Sequence, residues 1–341
     1  MNPKPLAIST GDPGGVGPEV ALRAAASQCS EDRVVLFGDA AELRARALAY
    51  GLAPNRLREI VRGRELDLNI GEIGLADVGH AWAGEAARHE ATGAGGAAQL
   101  AALDAALEAA LGRRARAIVT APMSKEAVNR SGRDFIGHTE HLARASGLRD
   151  DDVTMMFLGP RLRVALVTTH VAVAALPSAV TRARVLRTIT HLAEALTRLP
   201  AGTDARPPRL VVTGLNPHAG EAGLFGDDEP RAIIPAIAEA SALPVFAQGR
   251  AQLLGLLGAE TAFRRAASGE VEGVVAMMHD QATIASKLLD WTQAVNVTWG
   301  LPFVRTSVDH GVAYDAAAAH TADARGMISA LALAQQLTRS G

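Results

Sequence analysis

The stretch Val274–Gly311, VVAMMHDQATIASKLLDWTQAVNVTWGLPFVRTSVDHG, decides how the chain is read. It opens on an apolar, strand-like run that stops at His279. It then sets out Asp280, Gln281, Lys287, Asn296, Arg305, Asp309 and His310 at wide spacing. A short apolar run ending in chemically versatile residues is the pattern of a buried strand that delivers side chains at its carboxyl end. The pattern recurs in both directions from this stretch. RVVLFG precedes DAAELRARALAYG, where Asp39 is placed as an N-cap. GAGGAAQLAALDAALEAAL, a helix of about four turns, leads into RAIVTAP. VTMMFLG and RVALVTTH pair as a hairpin across Gly159-Pro160, and VTRARVLRTITHLAEALTRL is a helix starting near Val180-Thr181. PRLVVTGLNPH, IIPAIAEASAL and the final helix ADARGMISALALAQQL complete the alternation. Strands alternating with helices specify an α/β fold with a largely parallel sheet covered on both faces.

Composition narrows the function classes. The 341 residues suffice for one large or two medium domains. Apolar residues make up 48%, charged residues 21%, and the net charge is −2, so no basic surplus points to nucleic acid. Aromatic residues at 4% argue against base-stacking platforms. The single cysteine, Cys29, excludes an intrachain disulfide and a thiolate metal cluster. MNPKPLAIST holds too short an apolar run for a signal peptide. No window approaches the roughly 18 apolar residues of a membrane span, so the expected location is cytoplasmic.

Three histidines share a position. His170 ends RVALVTTH, His218 ends RLVVTGLNPH and His279 ends GVVAMMH, each at or just past the end of an apolar run. Separations of 48 and 61 residues exclude a local motif such as H-E-x-x-H. Ligands of open α/β sheets bind outside the carboxyl ends of strands, so the three imidazoles are candidates for one metal ion. Such a donor set suits Zn²⁺, Co²⁺ or Ni²⁺ better than Mg²⁺. The alternative for each is a hydrogen-bonded loop or core histidine. Gly137-His138-Thr139-Glu140 opens a helix whose free N–H groups favour a phosphate or carboxylate, or else is a helix start capped by Thr139. Lys125, closing AIVTAPMSK, stands at another strand end. The glycine turn Gly11–Glu19 is neither a Walker A sequence nor a G-x-G-x-x-G fingerprint, and reads as a tight strand-to-helix turn with Pro18 near the helix start. His80, His89, His191 and His320 fall in helical or loop contexts and are expected to be solvated; His310 pairs with Asp309.

Taken together, Gly11-Asp-Pro…Gly15-Val-Gly-Pro-Glu19, Thr120-Ala-Pro…Lys125, Gly137-His-Thr-Glu140, Thr169-His170, Leu215-Asn-Pro-His-Ala-Gly-Glu221, His279-Asp-Gln281 and Leu301–Gly311 resemble the PdxA family, the 4-hydroxythreonine-4-phosphate dehydrogenases of vitamin B6 biosynthesis. The likeness runs from end to end. Leu224-Phe-Gly226 and Lys287-Leu-Leu-Asp290 are closer to the branch that oxidises 4-phospho-threonate. The resemblance implies two α/β/α domains around a cleft, akin to isopropylmalate and isocitrate dehydrogenases: residues 1–135 with 300–341, and residues 136–299 carrying the metal and substrate residues. It implies a homodimer whose active site lies at the subunit interface, with His170, His218 and His279 as metal ligands and one of the three supplied by the neighbouring subunit. The metal would be zinc, with cobalt or magnesium as alternatives. Substrate contacts fall on His138, Thr139, Lys287, Asn296 and Arg305, with Lys287 and Asp280 as catalytic candidates, Asp280 by orienting an imidazole. The implied reaction is oxidation by NAD or NADP of a secondary alcohol β to a carboxylate, followed by loss of CO₂. Three segments depart from the family pattern: Ala282-Thr283-Ile284, Gly255–Thr261 with Glu260, and Asp315–His320. They open other readings: a 4-phospho-D-threonate dehydrogenase, a three-histidine metal lyase, or a non-catalytic metabolite-binding homologue.

Overall fold

The apolar runs Leu6–Ser9, Val34–Gly38, Ala117–Thr120, Gly273–Ala276 and Val304–Ser307 become strands buried along their whole length, as expected where helices cover each side of a parallel sheet. In this computed structural model, which describes residues 3–61, 64–79, 82, 84, 88–200 and 206–339, the chain forms two compact units. One comprises the residues up to Asp150 with Leu301–Arg339, the other Asp151–Gly300.

In the first unit the described strands are β1 (Leu6–Ser9), β2 (Val34–Gly38), β3 (Leu57–Ile60), β4 (Ile73–Asp77), β5 (Ala117–Thr120) and, late in the chain, β12 (Val304–Ser307). Their order is β3-β4-β2-β1-β5-β12, with every pair parallel. Side chains alternate along each strand. Ala7, Val35, Phe37 and Ile118 pack with the long helix Gly93–Leu111, while the helices Gly17–Gln28 and Arg325–Arg339 pack on one another and against the sheet. Asp39 caps the helix Ala40–Ala49 as expected, accepting from the Glu42 N–H at 3.0 Å. The helix Gly93–Leu111 has 19 residues, about five turns and one more than expected.

The second unit holds β6 (Thr154–Leu158), β7 (Arg163–Leu166), β8 (Arg209–Thr213), β9 (Gln252–Leu257), β10 (Gly273–Ala276) and β11 (Val295–Trp299), in the order β11-β6-β7-β10-β8-β9. β6 and β7 form the expected antiparallel hairpin, and β7, β10, β8 and β9 are parallel. The hairpin is locked by buried Asp290, which accepts from the N–H groups of Arg161 (3.1 Å) and Leu162 (2.9 Å). Thr181 caps the helix Arg182–Arg198, near the expected start. Because the first unit extends to Asp150, the turn carrying His138 and Thr139 belongs with the N-terminal sheet, not with the segment 136–299. His80 lies outside the described residues. His191, expected to be solvated, is instead largely buried at 2.9 Å from Thr154 Oγ1, and burial pushes its pKa down to about 4.

Close packing of the helices Gly93–Leu111 and Lys125–Arg130 depends on Gly96, where an added Cβ would collide with the Ala127 carbonyl. Alanine is worth about 1 kcal/mol over glycine inside a helix, but overpacking a rigid backbone contact costs about 1–3 kcal/mol. Gly96→Ala should therefore lower the urea midpoint despite its better helix propensity. A midpoint at or above that of the unsubstituted chain would contradict this packing.

Candidate active site

In the first unit, parallel pairing of β12 with β5 sets Arg305 opposite Ile118, two residues before Thr120. The Arg305 side chain is 3% exposed and donates from Nη2 to Thr120 Oγ1 at 2.7 Å. Burial lowers its pKa to about 10, partly offset by the Glu140 carboxylate, so it stays cationic at neutral pH. Beside it, the helix His138–Ala145 starts at Gly137. Gly137, not Thr139, holds the N-cap position, and Thr139 lies in the first turn. His138 Nε2 is shielded from solvent and has no hydrogen-bond partner among the described residues. Burial, then the positive charges of Arg305, His141 and Lys125, hold the His138 pKa well below the ordinary histidine value. Lys125 begins its own helix, with Nζ 3.6 Å from where a Gly137 side chain would begin. A cationic guanidinium, a neutral imidazole and an ammonium thus surround one helix start, an arrangement suited to a phosphate or carboxylate.

The glycine turn lies in this unit and is structural. Asp12 accepts from the Gly14 N–H (2.9 Å), Gln99 Nε2 (3.0 Å) and Tyr314 Oη (2.8 Å), and the Cβ of a residue replacing Gly17 would lie 2.5 Å from the Thr10 carbonyl. His89 bonds the Gly14 carbonyl at 3.0 Å. His310 contacts its neighbouring Gly311 carbonyl at 3.0 Å.

In the second unit, His170, His218 and His279 follow β7, β8 and β10, which are neighbouring parallel strands, so all three leave the same sheet edge. Two of them meet. The rings of His170 and His279 have centroids 5.6 Å apart at 41°. Two imidazoles on one tetrahedral ion have ring centres about 5 Å apart, given metal–nitrogen bonds of about 2 Å, so this pair fits a shared ion. His279 Nδ1 is 2.7 Å from Asp280 Oδ1, which leaves Nε2 as the available donor. His218 stands apart against Phe225 (6.3 Å between centroids), and no group of three metal-ligating side chains forms within one chain among the described residues. Asn296, on β11, has a buried Oδ1 without a hydrogen-bond partner among the described residues. Lys287 is exposed on the helix His279–Asp290, with Nζ 5.9 Å from the Trp291 ring.

Sequence reasoning did not assign roles to Gln281 or Glu229. Gln281 Oε1 accepts from the Met277 N–H at 2.9 Å and Nε2 donates to the Gly214 carbonyl at 3.2 Å, tying the end of β10 to that of β8. Glu229 lies inside the turn that presents His218. From His218 to Ala222 five successive residues have left-handed φ values between 41° and 80°, four of them with side chains. Each non-glycine residue there costs roughly 1–2 kcal/mol, so the turn needs support. Leu215-Asn-Pro-His-Ala-Gly-Glu221 was legible as a motif, but its handedness was not. Of the departing segments, Ala282 and Thr283 are buried and Ile284 is exposed. Gly258 lies beside His218, its added Cβ falling 3.8 Å from the His218 Cα.

An α/β scaffold bearing a buried cationic anion site and paired imidazoles at strand ends has the equipment of a metabolic enzyme for small anionic substrates. The model of the family described as pyridoxal phosphate biosynthetic protein PdxA matches residues 30–334. A 4-hydroxythreonine-4-phosphate dehydrogenase of Geobacter metallireducens is 40% identical, covering 99% of this chain and 97% of its own length. A D-threonate 4-phosphate dehydrogenase of Salmonella typhimurium is 38% identical over 99% of this chain and 100% of its own. The crystal structure of a 4-hydroxythreonine-4-phosphate dehydrogenase from Klebsiella pneumoniae superposes with a TM-score of 0.80 at 32% identity, covering 98% of this chain and 99% of that one. The chain belongs to the PdxA family. No helix among the described residues is long and apolar enough to cross a membrane.

The two desolvated histidines make stability depend on pH. His138 and His191 have folded pKa values below the ordinary 6.5, so between those values the unfolded chain binds the extra protons. The unfolding free energy should therefore fall as pH drops from 6.5 toward about 4, the His191 value. His138→Asn should make that decline shallower in denaturant titrations. An unchanged slope would show that His138 protonates freely in the folded state.

Proposed function

We propose that this chain oxidises the secondary alcohol of a phosphorylated 3-hydroxy acid with NAD or NADP, with loss of CO₂, and that its substrate is 4-phosphohydroxy-L-threonine. Family membership over residues 30–334 carries the reading. The charged, shielded cluster around Arg305 and His138 and the paired rings of His170 and His279 support it. 4-Phospho-D-threonate is the second candidate. It is favoured by the Salmonella typhimurium relative at 38% identity and by Leu224-Phe-Gly226 and Lys287-Leu-Leu-Asp290. The kinship in fold to isopropylmalate and isocitrate dehydrogenases belongs to the same reading, with the two compact units as the two domains.

In this reading Arg305 offers planar N–H donors to the phosphate or carboxylate. His138, neutral at pH 7, and Thr139 complete that contact, and Asn296 orients the substrate through its amide. Lys287 Nζ balances the substrate's charge and carries the alcohol proton away. His170, His218 and His279 would hold a divalent ion, for which imidazoles suit zinc or cobalt, and Asp280 keeps His279 turned for it. When bound, that ion would supply Lewis-acid polarisation of the alcohol oxygen, and a nicotinamide would supply the hydride acceptor. Loss of CO₂ follows because the new ketone stands β to the carboxylate.

A homodimer completes the reading, because two of the three histidines meet in one chain and the third ligand then comes from a second copy. Ile284, Leu288 and Trp291 support it, forming an exposed apolar row at helical spacing from the helix that begins at His279.

The reaction is tested by following NADH absorbance with divalent metal and each of the two phosphorylated acids. One of them should give NADH and CO₂ in equal amounts; product without NADH would overturn the dehydrogenase reading. His218→Ala should lower bound metal and activity together, and full metal occupancy in that variant would remove His218 from the ligand set. Sedimentation should show a dimer that Leu288→Asp shifts toward monomer with loss of metal; a monomer with full metal and activity would exclude the shared site.

A further inference from the structure

The turn that presents His218 is built around one carboxylate. Glu229 is 1% exposed. Its Oε1 accepts from the N–H groups of Leu215 and Asn216, each at 2.9 Å, and its Oε2 accepts from Asn216 Nδ2 at 3.1 Å. The turn closes on it from two sides. A Cβ at Gly214 would lie 3.1 Å from Oε1, and one at Gly220 would lie 2.5 Å from Oε2. Asp228 shares Asn216 Nδ2 at 3.1 Å and is itself paired with Arg231. Three donors therefore point at one acceptor-only group. A glutamine could keep the two backbone N–H groups on its oxygen, but its amide N–H would then face Asn216 Nδ2, donor against donor. Glu229 also begins a single wide helical turn, Glu229–Ile233, of the kind often found beside functional sites.

We infer that Glu229 is a positioning residue for His218: its hydrogen bonds make the left-handed turn the native conformation and fix where the imidazole stands. Left-handed backbone from His218 to Ala222 is otherwise unfavourable for the four residues that carry a Cβ. Without the carboxylate the segment would relax toward ordinary right-handed or extended backbone. The His218 ring would then leave its place, although Glu229 never touches a ligand. The inference rests on the reading of His218 as a metal ligand and adds what holds it there.

The test is Zn²⁺ affinity of the full chain in its native assembly, measured by competition with a chromophoric chelator, with unfolding followed separately. Glu229→Gln should weaken zinc binding about 10- to 100-fold, the usual cost of losing a group that orients a ligand. Gly220→Ala keeps the carboxylate but wedges a methyl against it, and should reproduce the loss in a second, independent way. A purely structural role would lower the unfolding midpoint while leaving the affinity of the folded protein intact. Wild-type affinity in either folded variant overturns the inference, provided His218→Ala loses zinc. Wild-type affinity in His218→Ala instead overturns the assignment of His218 as a ligand, so the two failures are distinguishable.

Discussion

The parallel ladder of β7, β10 and β8 is the constraint on which the candidate metal site depends. Parallel strands in register end at one edge, so whatever follows each strand is delivered to the same place. Cross-links beyond the strands maintain that alignment. Thr168 Oγ1 donates to the Met277 carbonyl at 2.7 Å, and Gln281 joins the ends of β10 and β8. His170 and His279 are neighbours because their strands are neighbours, not because of any spacing in the chain. The equivalent pairing in the first unit, β5 with β12, brings Arg305 to Thr120.

Buried carboxylates then shape the loops. Asp12 organises the glycine turn, Asp290 locks the β6–β7 hairpin, and Glu229 folds the turn of His218. Each accepts backbone N–H groups of its loop, and leaving such a group buried without a partner costs about 1–3 kcal/mol. These acids explain how irregular backbone is kept rigid next to the proposed chemistry. Asp290 is instructive because it closes the Lys287-Leu-Leu-Asp290 segment. In the structure its carboxylate holds the hairpin loop at Arg161 and Leu162 rather than facing a substrate.

Electrostatics divide the candidate residues by task. Desolvation works against charge on both His138 and Arg305 but has opposite consequences, since histidine loses its proton readily and arginine does not. The result is a neutral hydrogen-bonding imidazole beside a permanent cation. With the Lys125 side chain nearby, that pairing suits the proposed contact with an anion.

The sequence by itself determined the α/β alternation, the caps at Asp39 and Thr181, the hairpin at Gly159-Pro160 and the strand-end position of all three histidines. These follow from local rules: apolar periodicity, capping chemistry and turn residues act over a few positions and can be read in order. Motif identity also carried the family. Only the tertiary structure decided that His191 packs against Thr154 and loses much of its solvent, that Gly137 rather than Thr139 starts its helix, and that His138 belongs with the first unit. It alone showed that His170 meets His279 while His218, in a left-handed turn around Glu229, does not. The physical reason is that burial and hydrogen-bond partners are set by segments tens to hundreds of residues apart. No local pattern records which carboxylate will lie beneath which loop.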